Sequence, residues 1–329
     1  MRATDRIRLG GTALTVTRLG LGTGPIGGLY EPVSEEQAHA VVERAWHQGL
    51  RYFDTAPLYG HGLSERRLGR VLRDKPRDEA VVSTKVGRLL RHDPSAAPPA
   101  ESIYRGVPDV SPVFDFSYDG VLRSFEESRE RLGLDRVDLL LVHDPDDAFS
   151  DALEGAYPAL DRLRADGSIA AVGVGMNQWQ MLEDFALRAR FDCFLLAGRY
   201  TLLDQSAVDS LLPLCSREGI AVVAAGVYNS GVLADPSRSP HFDYKPADGA
   251  LLERVHRIRE ICDLHGTPLK AAAIQFPLGH PAVKCVLVGC RSPREVDESI
   301  EMFETVIPQE FWEDLRTAGF LDARLPVPE

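Results

Sequence analysis

The sequence predicts an α/β protein built as a (β/α)8 TIM barrel, with an N-terminal β-hairpin and long loops at one rim. Three observations support this fold. Short apolar segments alternate with segments of helical periodicity along most of the chain. The apolar segments show little polar alternation, which is typical of parallel strands that helices cover on both faces. Three of the early segments end at or near ionisable residues, as barrel strands do at a catalytic rim. We expect a single domain over residues 1–329.

The predicted elements form eight units of strand and helix. Continuous apolar segments predict the strands at residues 19–22, 51–54, 80–84, 137–142, 169–174, 191–197, 220–225 and 284–288. Helical periodicity predicts the helices at residues 35–48, 64–73, 119–132, 151–165, 178–189, 205–218, 250–265 and 293–303. Ser34 and Ser292 precede two of these helices and can cap them, while Gly133 follows a helix end, where a left-handed residue is needed.

A doubly wound open sheet is the alternative to the barrel. That fold needs a G-x-G-x-x-G motif that follows the first strand and opens a helix. Residues 20–28 are rich in glycine, but Pro25 and Pro32 interrupt the segment, and we expect a loop there. The barrel is therefore the preferred fold.

Segments outside the eight units also have predicted structures. Residues 7–16 alternate around a Gly-Gly pair, which predicts the N-terminal hairpin. Residues 87–118, which are rich in proline, and residues 226–249 are expected to form long loops at the catalytic rim. Residues 304–329 are expected to form a C-terminal extension.

Composition narrows the classes of function. The 329-residue chain is 44% hydrophobic and carries a net charge of −12 without a basic segment, which argues against nucleic acid or membrane as a partner. No apolar segment is long enough to span a bilayer, and no secretory signal is visible. The five cysteines form no C-x-x-C pair, so we expect a reducing, cytoplasmic location, no disulfides and no metal site. We expect a monomer or a small homo-oligomer.

Four polar residues lie at or near the ends of three predicted strands: Asp54, Tyr59, Lys85 and His143. A lysine ammonium close to a tyrosine favours the phenolate and should lower the tyrosine pKa from its usual value near 10. Asp54 would orient Lys85, and His143 would donate to a substrate oxygen. Such a set suits proton transfer at oxygen while a hydride moves at carbon, which implies a nicotinamide cofactor.

Each of the four residues also has a purely structural interpretation. Asp54 could cap a turn, Lys85 could end a strand in solvent, and Tyr59 could be a packed aromatic residue. His143 could be a turn residue or, with the aspartates that follow it, part of a metal site, although a second histidine is lacking. Their joint position at three strand ends favours the catalytic interpretation.

The segments at residues 53–60, 84–85 and 140–143 resemble the corresponding segments of the aldo-keto reductases. The resemblance runs in order from about residue 9 to residue 303. It implies a (β/α)8 barrel that the N-terminal hairpin closes at the bottom. It also implies catalysis in which a tyrosine acts as general acid and base, a lysine and an aspartate tune it, and a histidine orients the substrate. These residues would be Tyr59, Lys85, Asp54 and His143.

Further segments resemble the sugar-oxidising branch of that family, at residues 112–120, 173–179 and 198–204. The branch includes L-fucose, D-threo-aldose and D-arabinose 1-dehydrogenases and a pyridoxal 4-dehydrogenase. The resemblance implies an NAD(P)-dependent enzyme that oxidises the anomeric hydroxyl of an aldose or a similar cyclic hemiacetal to a lactone. Alternatives are pyridoxal 4-dehydrogenase, an NADPH-dependent aldehyde or ketone reductase, and a non-catalytic barrel that serves as an accessory subunit.

The resemblance also implies where the cofactor binds. A loop of small residues after the seventh strand would cover the pyrophosphate, and the helix after the eighth strand would place its N-terminus near an anion. The residues implied are Asp54, Asn177, Tyr228, Asn229, Ser230, Gly231, Leu233, Gly289, Arg291, Ser292 and Glu295.

The residue at position 295 leads us to expect NAD rather than NADP. NADP-dependent relatives have an arginine at this position, whereas this chain has Glu295. A carboxylate repels a 2′-phosphate but accepts hydrogen bonds from a ribose 2′-hydroxyl. Two observations keep NADP as an alternative cofactor. Arg291 could bind the 2′-phosphate, and Glu295 could be present only because a carboxylate in the first turn stabilises the helix dipole.

Overall fold

The computed structural model describes residues 1–92 and 103–328. In chain order, its strands are β1 (Arg6–Arg8), β2 (Thr15–Thr17), β3 (Leu19–Gly22), β4 (Tyr52–Asp54), β5 (Val81–Val86), β6 (Arg88–Arg91), β7 (Ser111–Phe114), β8 (Leu139–His143), β9 (Ala171–Met176), β10 (Cys193–Ala197), β11 (Ala221–Ala225), β12 (His241–Phe242), β13 (Lys245–Pro246) and β14 (Val283–Gly289). Strands β3, β4, β5, β8, β9, β10, β11 and β14 close into a barrel in that order, and each is parallel to its neighbours. The predicted (β/α)8 fold is confirmed.

Helices surround the barrel. They are α1 (Glu35–His47), α2 (Leu63–Leu72), α3 (Tyr118–Leu132), α4 (Phe149–Asp151), α5 (Tyr157–Ala165), α6 (Trp179–Arg188), α7 (Leu211–Glu218), α8 (Gly249–Leu264), α9 (Leu269–Gln275), α10 (Pro293–Glu304) and α11 (Gln309–Thr317). The predicted caps are present: the Ser34 hydroxyl accepts from the Gln37 N–H, and Gly133 ends α3 with a φ of 61°. None of the described helices is long and apolar enough to cross a membrane.

The N-terminal hairpin closes one end of the barrel. Strands β1 and β2 pair antiparallel with Ile7 opposite Val16, as predicted. Leu9 and Val16 are fully buried in one cluster with Val81 and Leu139, which begin β5 and β8. The hairpin therefore packs against the amino ends of the strands, opposite the rim where the strands finish.

The predicted loop over residues 87–118 contains a second hairpin. Strands β6 and β7 pair antiparallel, with Leu89 opposite Val113 and Leu90 opposite Pro112. The predicted long loop is therefore partly built from paired strands, since proline is tolerated in an edge strand. Residues 93–102 of that loop lie outside the described part of the chain. The second predicted rim loop, residues 226–249, carries the short pair β12 and β13.

Several predicted helix boundaries differ from the structure for local reasons. The helix predicted from residue 205 begins at Leu211, because Asp204 and Gln205 bind nearby backbone groups and hold the preceding residues in turns. The helix predicted over residues 151–165 contains a π turn at Ala152–Ala156. Pro158 follows this turn and lacks the N–H that a regular helix would use there.

Candidate active site

The rim at the carboxyl ends of three neighbouring strands carries the predicted catalytic residues. Asp54 ends β4, Lys85 is the penultimate residue of β5, and His143 ends β8. These strands are adjacent in the barrel, so their carboxyl ends meet. Tyr59 lies five residues beyond Asp54. The structure therefore brings together all four residues that the sequence placed at one rim.

Lys85 is the centre of this group. Its ammonium lies 2.6 Å from Asp54 Oδ2, 2.9 Å from the carbonyl oxygen of Thr55 and 3.0 Å from Tyr59 Oη. Only 1% of Lys85 is exposed, so a buried ammonium uses its three donors on three oxygens. Ser83 Oγ donates to the other Asp54 oxygen at 2.7 Å. Both charged partners are therefore held in fixed positions.

His143 completes the group as a neutral imidazole. Its ring meets the Tyr59 ring edge-on, with the centroids 5.8 Å apart. Burial lowers the pKa of His143 well below its usual value, and the nearby charges of Lys85 and Arg88 lower it further. Nε2 lies 3.5 Å from Asp144 Oδ2, too far for a strong hydrogen bond, whereas Nδ1 is buried and has no hydrogen-bond partner among the described residues. In the tautomer that carries the proton on Nε2, this nitrogen can donate to a substrate oxygen.

The expectation that Lys85 lowers the pKa of Tyr59 is wrong in direction. Burial raises the pKa of Tyr59 well above its usual value of 10.0, and the negative charge of Asp54 raises it further. The Lys85 ammonium is compensated by Asp54 at 2.6 Å, so its charge alone does not decide the balance. Tyr59 is consequently a phenol at neutral pH.

A cavity of about 770 Å³, a volume within the range of cofactor sites, opens at the carboxyl ends of other barrel strands: Ala197 of β10 and Gly289 of β14 line it, whereas Tyr59, Lys85 and His143 do not. Nine of the residues predicted to bind cofactor line it: Asn177, Tyr228, Asn229, Ser230, Gly231, Gly289, Arg291, Ser292 and Glu295. Gly231 has a φ of 102°, a conformation that favours glycine, and a Cβ atom there would overlap the side chain of Ser239. These residues fit an extended, phosphate-containing group. Two predicted residues, Asp54 and Leu233, do not line the cavity: Asp54 binds Lys85, and Leu233 packs in the core.

The N-terminus of α10 borders this cavity. The Ser292 hydroxyl accepts from the Glu295 N–H at 3.2 Å, and Glu295 Oε2 accepts from the Arg291 N–H at 2.7 Å. These bonds form a cap at the helix start. The Arg291 guanidinium donates to the Leu29 carbonyl oxygen at 3.0 Å. Glu295 is therefore a helix cap that also presents a carboxylate to the cavity.

Comparison with known proteins decides the family. The profile of the aldo/keto reductase family matches residues 18–319. The chain belongs to this family. It is accordingly an oxidoreductase of the NAD(P)-dependent aldo-keto reductases, as the sequence predicted.

Two relatives of this aldo-keto reductase are similar over nearly their whole length. Pyridoxal 4-dehydrogenase of Microbacterium luteolum is 46% identical and covers 98% of this chain and 99% of its own. D-threo-aldose 1-dehydrogenase of a Pseudomonas species is 43% identical, with 94% and 95% covered. The structure of a glycerol dehydrogenase from Gluconobacter oxydans superposes with a TM-score of 0.77 at 24% identity, over 99% of this chain and 98% of that one. That likeness supports the fold.

The cavity of this aldo-keto reductase also has lining residues that the sequence did not reveal. They include Tyr30, Arg238, Asp243, Tyr244 and Lys270. Arg238, Asp243 and Tyr244 come from the predicted rim loop at residues 226–249, Tyr30 from the loop after β3 and Lys270 from α9. The sequence placed the rim loop at the site but gave no signal for which side chains face the cavity. Within the described residues, no cluster of three histidine, cysteine, aspartate or glutamate side chains could hold a metal ion.

Proposed function

We propose that this aldo-keto reductase oxidises the anomeric hydroxyl of an aldose to a lactone, with NAD as the preferred cofactor. The substrate would be a cyclic hemiacetal of the L-fucose, D-threo-aldose or D-arabinose type. The observation that carries the proposal is the contact of Tyr59 Oη with Lys85 Nζ at 3.0 Å, at the same end of the barrel as a cavity of about 770 Å³. The D-threo-aldose relative, at 43% identity, supports the substrate class.

The proposed reaction removes a hydride from the anomeric carbon and a proton from its hydroxyl, so that the C–O bond becomes the C=O bond of the lactone. A bound NAD supplies the acceptor for the hydride. His143, as a neutral donor, holds the reacting oxygen through Nε2. Tyr59 first loses its phenol proton to solvent, and the phenolate then accepts the proton of the anomeric hydroxyl as the hydride leaves carbon. Lys85 and Asp54 fix the position of the Tyr59 oxygen, and the Lys85 ammonium offsets the charge of the phenolate.

The preference for NAD rests on the carboxylate of Glu295. It lines the cavity at the start of α10, where a 2′-phosphate would meet its negative charge. The variant Glu295→Gln can keep the cap bond while it removes this charge. We expect the ratio of kcat/KM with NAD to that with NADP to fall by about tenfold, which corresponds to about 1.4 kcal/mol.

Glu310→Gln is the matched control for that variant, because Glu310 occupies the first turn of α11 and is exposed. It should leave the ratio unchanged. A wild-type preference for NADP, or an equal shift in both variants, would contradict the role of Glu295.

Two alternatives have specific support. The pyridoxal 4-dehydrogenase relative, at 46% identity, favours oxidation of the cyclic hemiacetal of pyridoxal. The raised pKa of Tyr59 favours an NADPH-dependent aldehyde or ketone reductase, since a phenol is poised to donate a proton.

Initial rates of nicotinamide reduction with L-fucose, D-arabinose and pyridoxal, each with NAD and NADP, test the proposal. We expect NAD reduction with at least one aldose at a higher kcat/KM than with pyridoxal. A higher kcat/KM with pyridoxal would favour the first alternative. No NAD reduction with any of the three, together with NADPH-driven aldehyde reduction, would overturn the proposal in favour of the second.

We also infer that the chain acts as one domain in the cytoplasm, as a monomer or a small homo-oligomer. The barrel begins at Leu19 in β3 and ends at Gly289 in β14, so one closed sheet connects segments from most of the chain length. Cys193, Cys215, Cys262, Cys285 and Cys290 are all buried and unpaired, which supports a reducing compartment.

A further inference from the structure

An ion pair lies beside the catalytic group and has no part in the chemistry described so far. Arg88 begins β6, three residues beyond Lys85, and Asp144 directly follows His143. Arg88 Nη2 and Asp144 Oδ2 are 3.0 Å apart. Because β5 and β8 are neighbouring strands, the pair spans the rim between Lys85 and His143.

Asp144 lies beside the His143 nitrogen that would hold the reacting oxygen. Its Oδ2 atom lies 3.5 Å from Nε2 of His143, the nitrogen that can donate to substrate. The side chain is 31% exposed, so a ligand can contact it. The backbone of Asp144 has a φ of 44°, an uncommon conformation for a residue other than glycine, although aspartate tolerates it. Such a conformation at a site is consistent with a carboxylate that is aimed for a function.

Arg88 is held in place and keeps donor capacity. Its guanidinium lies over the Phe114 ring, 4.3 Å from the ring centroid, while Asp144 binds its Nη2 atom. The Arg88 side chain is 14% exposed, so a ligand can contact part of the guanidinium, although Nε itself is buried and has no hydrogen-bond partner among the described residues. Its positive charge is near enough to act on both Tyr59 and His143. The guanidinium can therefore donate to a second ligand oxygen close to the reacting one.

We propose that Arg88 and Asp144 recognise the hydroxyl groups next to the anomeric carbon of a polyhydroxylated ring. A sugar hydroxyl both donates and accepts, and the pair offers one fixed acceptor and one fixed donor. A ring without neighbouring hydroxyls leaves both groups without a ligand partner, and sites built for hydrogen bonding discriminate strongly in this situation. This inference rests on the proposed function and specifies how an aldose is distinguished from a plain hemiacetal.

The test compares two hemiacetals that undergo the same oxidation. One is the aldose with the highest kcat/KM, and the other is 2-hydroxytetrahydropyran, which has no further hydroxyl. We expect Asp144→Asn, which keeps the shape of the side chain, to lower kcat/KM for the aldose by about 10- to 100-fold, chiefly through KM. The value for 2-hydroxytetrahydropyran should change less than about threefold. Arg88→Lys keeps the positive charge but loses the planar set of guanidinium donors. We expect it to lower kcat/KM for the aldose selectively as well.

Asp146→Asn is the matched control, because Asp146 is an exposed carboxylate two residues away. It should leave both substrates unaffected. An equal loss with both substrates in Asp144→Asn would show that the pair only supports His143, and no loss with either would remove its role. A wild type that prefers 2-hydroxytetrahydropyran to every aldose would overturn the recognition pair yet leave hemiacetal oxidation standing. A wild type inactive with both would overturn both proposals.

Discussion

The environment of Tyr59 has two opposing effects on the pKa of its hydroxyl. The Lys85 ammonium at 3.0 Å favours the phenolate, whereas burial and Asp54 favour the phenol. Since Asp54 neutralises Lys85 at 2.6 Å, the cost of a second negative charge in a buried site dominates. The residue therefore holds a proton that it can give to a carbonyl oxygen, and it accepts one only when the phenolate has formed.

The pH dependence should consequently differ between the two directions. Because the pKa of Tyr59 lies well above 10.0, the phenolate fraction grows tenfold per pH unit below that pKa. We expect kcat/KM for oxidation to rise from about pH 6 to about pH 10 without levelling, while the value for carbonyl reduction stays level.

The variant Tyr59→Phe tests whether the Tyr59 hydroxyl is responsible for this pH dependence. It should lower turnover in both directions by about 10²- to 10⁴-fold while binding of the nicotinamide cofactor survives. Oxidation that levels off near neutral pH, or a Phe variant that retains its rate, would show that another group exchanges the proton.

The sequence was sufficient to place Asp54, Tyr59, Lys85 and His143 together, but not to predict the protonation state of Tyr59. Asp54, Lys85 and His143 could be found because each ends or nearly ends an apolar strand. The pKa of Tyr59 could not be predicted, because its sign depends on how deeply the tertiary structure buries the hydroxyl. The same holds for Arg88, whose partner is 56 residues away in the chain.

At the level of elements, α2 connects α3 to β5, the strand that carries Lys85. Glu65 in α2 binds Arg131 in α3 at 2.5 Å and accepts from Thr84 in β5 at 2.8 Å. Thr84 precedes Lys85. Gly69, one turn further along α2, packs so closely on α3 that a Cβ atom there would overlap the carbonyl oxygen of Leu132. The glycine thus sets the distance between the two helices.

Gly69→Ala should destabilise the protein despite the higher helix propensity of alanine. The overlap is with backbone, which cannot rotate away, so we expect the free energy of unfolding to fall by about 3 kcal/mol or more. Gly249→Ala in α8 is the control, because a Cβ there meets nothing within 4 Å and φ is not positive. Melting temperatures of both variants measure the effect. Equal melting temperatures would mean that α2 can shift without cost.

Elements were predictable where an apolar pattern was strong and uninterrupted. All eight barrel strands were found, with boundaries that moved by a few residues. Helix α9 was missed because Ala271–Ile274 is buried throughout and has no polar face. The β6–β7 hairpin was missed because proline in a short edge strand resembles a loop.

At the scale of the whole molecule, the residues that pack the barrel interior and the residues of the candidate active site lie at opposite ends of the barrel. One end of the interior is filled by the hairpin and by the first residues of the strands, such as Val81, Leu139 and Ala171. The other end carries Lys85 and His143. The order of strands and helices predicted this arrangement, because parallel strands place all their carboxyl ends together. The shape of the rim could not be predicted, since it depends on contacts between loops far apart in the chain.

Leu9→Ala tests this separation. Leu9 is fully buried at the hairpin end, so its truncation should lower the free energy of unfolding by about 2–5 kcal/mol and lower the melting temperature. Val306→Ala, at a position that is 90% exposed, should change stability by less than about 0.5 kcal/mol. At a temperature where both variants are folded, kcat should equal that of the wild type, because Leu9 lies at the opposite end of the barrel from Tyr59. A loss of kcat in the folded Leu9 variant would mean that the hairpin end and the catalytic rim are coupled through the interior, and that packing below the strands helps to position Lys85.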